Sequence, residues 1–291
     1  MNMLKHAFGL AFQIVTLTLA VTTAVSLVWA DHREPPQVYL LFDGINDYVE
    51  VPSSPELGVA DRGQLTVSAW MKPATLYFPS TEQDGYVHWL GKGSRGLPGN
   101  QQNWAFRMYS KDTTDQEPER SCPGGPTVST RENRISFYIF PPTGGGQGIG
   151  SYFQYGYSRC DLLPEPIKAG QWIHVVGVAD GQRTHIFMNG VRMDSDDYSA
   201  ITPAPGDAPL RMGTREAEDH RTTSYFLGAI GEVRIWNTAL SDNEVYNLYH
   251  FNIVPDGVVA EWLLTEETGT TAIDTIGGHN GNIFGAYRPV H

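Results

Sequence analysis

The sequence predicts an all-β fold, two antiparallel sheets stacked as a sandwich, and three observations carry that prediction. The clearest is Gln171 to Met193, QWIHVVGVADGQRTHIFMNGVRM. Trp172, His174, Val176 and Val178 alternate with Ile173, Val175, Gly177 and Ala179, the period of two that sends successive side chains to opposite faces of a strand. Asp180-Gly181 and Asn189-Gly190 punctuate the run. Such pairs tolerate the left-handed backbone of tight hairpins, so three antiparallel strands in a meander are expected. The second observation is that short strand-like runs recur along the chain, separated by Gly, Pro, Asn and Asp. The third is that helical periodicity is confined to Ser241–Tyr249, where Ser241 is an N-cap, Glu244 its capping-box partner, and Val245, Leu248 and Tyr249 an apolar stripe.

In chain order the expected strands are Tyr39–Phe42, Tyr48–Val51, Leu65–Met71, Val87–Lys92, Trp104–Tyr109, Arg134–Phe140, Gly150–Tyr155, Trp172–Ala179, Thr184–Met188, Leu210–Met212, Gly228–Trp236, Val258–Leu263 and Gly281–Phe284. These are too many for a simple immunoglobulin-type sandwich and suit two larger sheets. Between them, at about residues 74–166, lie elaborated turn-rich stretches, notably Lys111–Arg131 and Pro141–Gly148 (PPTGGGQG). Loops of this length inside a compact domain are usually functional or mobile. Neither an internal repeat nor a Pro- or Ser-rich linker divides the chain, so residues 31–291 read as one domain with a C-terminal strand extension over 256–291.

Residues 1–30 read as an address rather than as fold. Lys5 begins the segment, Ala7 to Val28 is apolar or hydroxylated, and Val28-Trp29-Ala30 ends on a small residue before Asp31, His32, Arg33 and Glu34. That is the pattern of a signal peptide cleaved after Ala30. The apolar run is also long enough for an uncleaved N-terminal anchor. Either way the rest of the chain is expected to be secreted, extracellular or held at the cell envelope. Without Lys5 the formal net charge moves from −12 to −13. Nucleic acid and anionic membranes call for Lys/Arg clusters that the sequence does not show, so neither is expected as a partner. The only cysteines are Cys122 and Cys160, and an exported protein is expected to join them. Closing that loop would contribute roughly 4 kcal/mol on the chain-entropy model; two buried free thiols are the alternative.

Several segments together resemble the laminin-G-like, concanavalin A-like lectin/glucanase jelly rolls. The meander is similar to their W-x-H-V and I-x-V/M-N-G hairpin. Leu41-Phe42-Asp43-Gly44-Ile45-Asn46-Asp47-Tyr48-Val49 resembles their opening F-D-G-x-x-D-Y-V hairpin, and Leu65 to Pro73 their second strand, with Trp70 in the core. Leu210-Arg211-Met212-Gly213 is similar to a short L-x-I-G strand. Gly228 to Asn237 followed by Ala239-Leu240-Ser241 resembles the last long strand and its helix. The order matches from about Tyr39 to Tyr249. The tail from Val259 to Thr270, with His279-Asn280-Gly281, resembles a V-A-x-W…E-x-x-G-T segment that often accompanies the module. Too few residues follow for another core, so it is expected to add strands to this one.

The resemblance implies a non-catalytic binding module that takes an extracellular glycan or a surface protein. A protein-adhesion domain and a polysaccharide-active glycoside hydrolase or lyase are the alternatives. Enzymatic signals are missing: the sequence has no E-x-D-x-E pair of carboxylates for glycoside cleavage, no H-E-x-x-H, and no G-x-S-x-G, since Lys92 stands where Ser94 would need a glycine. The acidic runs Asp194-Ser195-Asp196-Asp197 and Glu216-Ala217-Glu218-Asp219 read as solvated turn charges. His174, inward beside Trp172 by alternation, reads as a hydrogen-bonded core histidine. Two site expectations remain. A structural calcium ion would take oxygen ligands from Asp43 and Asp47 in the first hairpin. By the resemblance Glu232 on the last long strand would join them, although Gly231 stands where that strand usually carries aspartate. A glycan would stack on aromatic rings beside the Gly-rich loop, with Tyr155, Tyr157, Trp89 and Trp104 as the candidates.

Overall fold

A computed structural model describes residues 33–59, 63–82, 85–94, 102–121, 127–140, 148–154, 166–198, 207–215 and 224–289. One sheet has seven strands: β1 (Leu40–Asp43), β14 (Leu227–Trp236), β3 (Gln64–Pro73), β10 (Ile173–Asp180), β11 (Arg183–Met188) and β12 (Val191–Asp197) in that order, with β15 (Val258–Trp262) also paired to β14. The other has eight: β16 (Thr271–Ala272), β17 (Gly281–Phe284), β2 (Tyr48–Val51), β13 (Leu210–Met212), β4 (Tyr86–Lys92), β5 (Trp104–Tyr109), β8 (Ile135–Ile139) and β9 (Ile149–Phe153). A hairpin of β6 (Gln116–Ser121) and β7 (Thr127–Thr130) forms a small third sheet. Every strand expected from the sequence is present, with its ends within two residues of the expected ones.

The meander folds as its turn residues dictate. Asn189 and Gly190 both adopt positive φ, 51° and 80°, the conformation that an L-residue other than Asn or Asp resists. At the preceding turn the Asp180 carboxylate accepts hydrogen bonds from the N–H groups of Gln182 (2.8 Å) and Arg183 (2.7 Å), an Asx cap on the hairpin. Along β10, Ile173, Val175 and Ala179 face the other sheet and pack with Val67, Ile186 and Ile235 against Trp89, Trp104, Phe106 and Phe137. Gly177 belongs to this inner face because a Cβ there would meet the Phe137 ring at 2.4 Å.

The alternate residues of β10 have a different destination. Val176 and Val178 pack with Phe187, Trp236, Leu240, Val245 and Leu248 in a second apolar cluster outside the sandwich. Its lid is the helix α1 (Asp242–Phe251), whose Ser241 cap and Glu244 form the expected capping box, and which ends on Asn252 in the left-handed region. His174 therefore sits between the seven-stranded sheet and the helix, not between the two sheets. Its Nε2 lies 2.8 Å from Ser68 Oγ, and its ring packs against Trp70 and Tyr249.

Two further expectations are corrected. The stretch Lys111–Arg131, expected as loop, contains β6 and β7. Asp194 to Asp197 are not turn charges: they lie on β12, the third strand of the meander. Asp194 Oδ2 accepts from Tyr152 N (3.1 Å) and Asp196 N donates to Ser151 Oγ (3.0 Å), so this run ties the edges of the two sheets together. The C-terminal extension supplies β15 to one sheet and β16–β17 to the other. No helix among the described residues is long and apolar enough to cross a membrane.

Candidate functional site

The eight-stranded sheet turns one face to the core and the other away from it. On β5 the core takes Trp104, Phe106 and Met108, on β8 Ile135, Phe137 and Ile139, and on β9 Phe153. Alternation sends the residues between them outward, and the register aligns those in rows across the strands. One row reads His88, Arg107, Ser136, Tyr152. A second reads Tyr86 and Tyr109, continued by Arg134 and Gln154 at the ends of the next strands. A third has the short side chains of Gly91, Ala105 and Gly150, interrupted by Tyr138. Neighbouring strands lie about 4.8 Å apart, so these residues form one continuous layer, of which Arg107, Tyr138, Gly150 and Tyr152 are part-exposed.

Its centre is Arg107. The guanidinium carbon lies 3.9 Å from the Tyr138 ring centroid, 4.7 Å from that of Tyr86 and 5.2 Å from that of Tyr109. Tyr138 also accepts a hydrogen bond from it. Stacking on ring faces stabilises a partly desolvated cation. It does not neutralise one, and among the described residues no carboxylate pairs with Arg107 while its Nε has no hydrogen-bond partner. Arg107, Tyr138 and Tyr152 are part-exposed, whereas Tyr86, His88, Tyr109, Arg134 and Ser136 are buried beneath and beside them.

The neighbouring charges are arranged differently. Arg134 stands 4.0 Å from the Tyr152 ring centroid and donates from Nε to Gln154 Oε1 (3.1 Å). Arg211 pairs with Glu50 at 2.7 Å, and Arg215 donates to Gln102 Oε1 at 2.6 Å. His88 Nδ1 meets Glu82 Oε1 at 2.5 Å. Burial pulls the His88 imidazole down to about 4, helped by the charge of Arg215 and opposed by Glu82. At neutral pH His88 is therefore uncharged, its Nδ1–H donates to Glu82, and Nε2 is an acceptor without a partner. Ser136 Oγ is likewise buried without one.

The expected site residues fare unevenly. Trp89 and Trp104 are 0 % exposed within the core, and Trp104 Nε1 donates to Leu57 O at 2.9 Å. They are corrected from ligand-binding to core residues, because alternation along β4 and β5 turns both rings inward. Tyr155, Tyr157, Cys122, Cys160 and the run Glu216 to Asp219 lie outside the described residues.

The three expected calcium ligands are not brought together. Asp43 pairs in register with Leu227, which places Glu232 five residues further along β14, roughly 16 Å away at the usual rise. The Glu232 carboxylate is taken up by Arg33 and Arg234. Asp43 Oδ1 accepts from Ile45 N (2.8 Å) and Asn46 N (3.2 Å), and Asp47 Oδ2 accepts from Asp43 N (2.9 Å). Both carboxylates thus shape the hairpin turn. Among the described residues no group of three or more His, Cys, Asp or Glu side chains is placed to hold a metal ion.

The arginines are not among the site residues expected from the sequence. The signal was present within single strands: in WAFRMY, residues Trp104, Phe106 and Met108 alternate with Ala105, Arg107 and Tyr109, and in RISFYI, Arg134, Ser136 and Tyr138 alternate with an apolar set. Only the register between strands makes one surface of them.

The fold defines a class: an antiparallel two-sheet sandwich consistent with a concanavalin A-like jelly roll. Residues 119–246 match the family model Laminin_G_3, described as the concanavalin A-like lectin/glucanases superfamily. Among solved structures, the chain is similar to a candidate carbohydrate binding protein from Bacteroides ovatus ATCC 8483, with 17% identity and a TM-score of 0.55 over 88% of this chain. It spans 61% of that protein's length. It is also similar to the native heptameric SAP-like pentraxin from Limulus polyphemus, with 13% identity and a TM-score of 0.52, covering 87% of this chain and 94% of that one. At these identities the likeness is one of fold. No curated protein matches the chain in sequence.

Proposed function

We propose that this chain is an exported, non-catalytic carbohydrate-binding module whose ligand lies on the outer face of the eight-stranded sheet. The carrying observation is the row His88–Arg107–Ser136–Tyr152 flanked by Tyr86, Tyr109 and Tyr138. Aromatic rings offer flat apolar contact to sugar rings, and the part-exposed guanidinium of Arg107 can fix orientation through hydrogen bonds. The structural likeness to a candidate carbohydrate binding protein supports the same reading at the level of fold. Export rests on the N-terminal pattern of residues 1–30, and the mass of the mature protein in the medium or envelope checks it.

The test is retention of the purified domain on a panel of insoluble and immobilised polysaccharides. Binding is expected to at least one, and to fall in Tyr138→Ala with little change in melting temperature, because Tyr138 is part-exposed. Failure to bind any polysaccharide, or unchanged binding in the variant, overturns the reading. A protein ligand is favoured by a separate observation: Tyr246, Phe251, Ile253 and Val254 are exposed around the end of α1. Polysaccharide-insensitive capture of a protein, lost in Phe251→Ser and kept in Tyr138→Ala, would decide for that alternative.

A further inference from the structure

Among the described residues, the outer face of the eight-stranded sheet carries more arginines than carboxylates, whereas the chain as a whole is acidic. The protein carries a formal net charge of −12. On and beside this face, among the described residues, Arg107, Arg134, Arg211 and Arg215 stand against Glu50 and Glu82. Glu50 is paired with Arg211, and Glu82 accepts a hydrogen bond from neutral His88 and keeps its negative charge. Arg107 is left with rings on three sides and no carboxylate. A guanidinium withdrawn from water costs free energy unless an anion or a set of acceptors compensates it. A surface that concentrates such a group on an acidic protein is therefore arranged for an anion brought by something else.

Resting on the carbohydrate reading above, we propose that the ligand is an acidic glycan and that a uronate carboxylate is held by the guanidinium of Arg107. The planar fork of arginine matches a carboxylate, and charge-assisted bonds of this kind are about twice as strong as neutral ones. The residues beside Arg107 suit the rest of a uronate ring. His88 and Ser136 are buried beneath Arg107 and shape the layer on which it rests, so the contacts open to the ring come from Arg107 and its part-exposed neighbours. Tyr138 and Tyr152 offer part-exposed rings in adjoining rows. Gly150 is part-exposed and leaves room for the Tyr138 ring, which a Cβ there would meet at 2.8 Å.

The test compares three probes on the wild-type protein by calorimetry: polygalacturonate, its fully methyl-esterified form, and dextran sulfate. The expected result is binding to polygalacturonate and weaker binding to the ester, which removes the charge and keeps the sugar. Arg107→Gln is expected to lose about 10- to 100-fold in affinity for the acid and a smaller factor for the ester. Arg107→Lys, which keeps the charge without the fork, should fall between and guards against a folding defect in the glutamine variant. Equal binding of acid and ester overturns this proposal and leaves the carbohydrate reading standing. Binding of neither, nor of any neutral polysaccharide, overturns both. Dextran sulfate bound as tightly as polygalacturonate, with no loss in Arg107→Gln, shows diffuse polyanion attraction and also overturns it.

Discussion

The two outer faces of the sandwich each bury a histidine, and the two environments differ. His174 on the seven-stranded sheet lies under α1, against Trp70, Tyr249 and Ser68, beside a cluster of Val176, Val178, Phe187, Trp236, Val245 and Leu248. Burial of apolar surface accounts for that arrangement. His88 on the eight-stranded sheet lies beside Glu82, Arg107 and Tyr86, where burial alone is unfavourable. The same depth in the protein thus has two meanings. Where a helix supplies an apolar lid, the buried histidine belongs to the packing. Where guanidinium groups and rings collect instead, the arrangement is the one on which the proposed recognition role rests.

The comparison is broken most forcefully from the helix side. Trp236 is fully buried in the cluster beneath α1, with Nε1 donating to Pro255 O at 3.1 Å. Trp236→Ala should destabilise the protein by about 4 kcal/mol, the usual range for a buried tryptophan truncated to a cavity. Urea denaturation at neutral pH measures the loss. Under conditions where the variant stays folded, its affinity for polysaccharide should match that of the wild type. A matching loss of affinity would mean that the two faces are coupled and the distinction drawn between them is false.

Acid sharpens the same contrast. Burial pulls His174 down to about 3, reinforced by the charges of Arg33 and Arg234, and pulls His88 down to about 4. Between those values and 6.5 the unfolded chain binds more protons than the folded one, so stability rises with pH across the window and is lost on acidification through it. His174→Gln removes one of the two titrations. Between pH 7 and pH 4.5 the variant should lose about 3 kcal/mol less than the wild type. Denaturation curves at the two pH values check this, and parallel losses in both proteins would contradict the buried, neutral state of His174.

These faces were not equally legible in the sequence. The meander, the capping box at Ser241 and the strand spans follow from local alternation and turn chemistry, which act within a few residues. Placing His174 in the core was half right: period two separates the faces of β10 without saying which lies against the other sheet and which against a helix some seventy residues later. Trp89 and Trp104 were misassigned because aromatic residues suit both a core and a sugar, and only the strand register distinguishes them. Arg107 was missed for the complementary reason. Its importance depends on Tyr86, Tyr138 and His88, which stand on neighbouring strands and meet it through pairings that alternation alone does not specify. The expected calcium set failed because the bulge between Gly231 and Arg234, with Glu232 at φ 47°, aims that carboxylate at two arginines.

The smallest effect probes the lid itself. Ser241 Oγ accepts from Glu244 N at 3.3 Å while Glu244 Oε2 accepts from Ser241 N at 2.7 Å, so the first turn of α1 has two of its free N–H groups satisfied. Arg192 pairs with Asp242 in the same turn and ties it to β12. Ser241→Ala removes one of the cap bonds and should cost about 1 kcal/mol. The helix is held by Val245 and Leu248 as well as by its cap, so the lid should loosen at one end rather than detach. Hydrogen exchange then separates the faces: faster exchange is expected for the amides of α1, with those of β5 and β8 around Arg107 unchanged. Faster exchange spread evenly over both sheets would show that the cap stabilises the sandwich as a whole, and the helix would no longer count as a lid on one face alone.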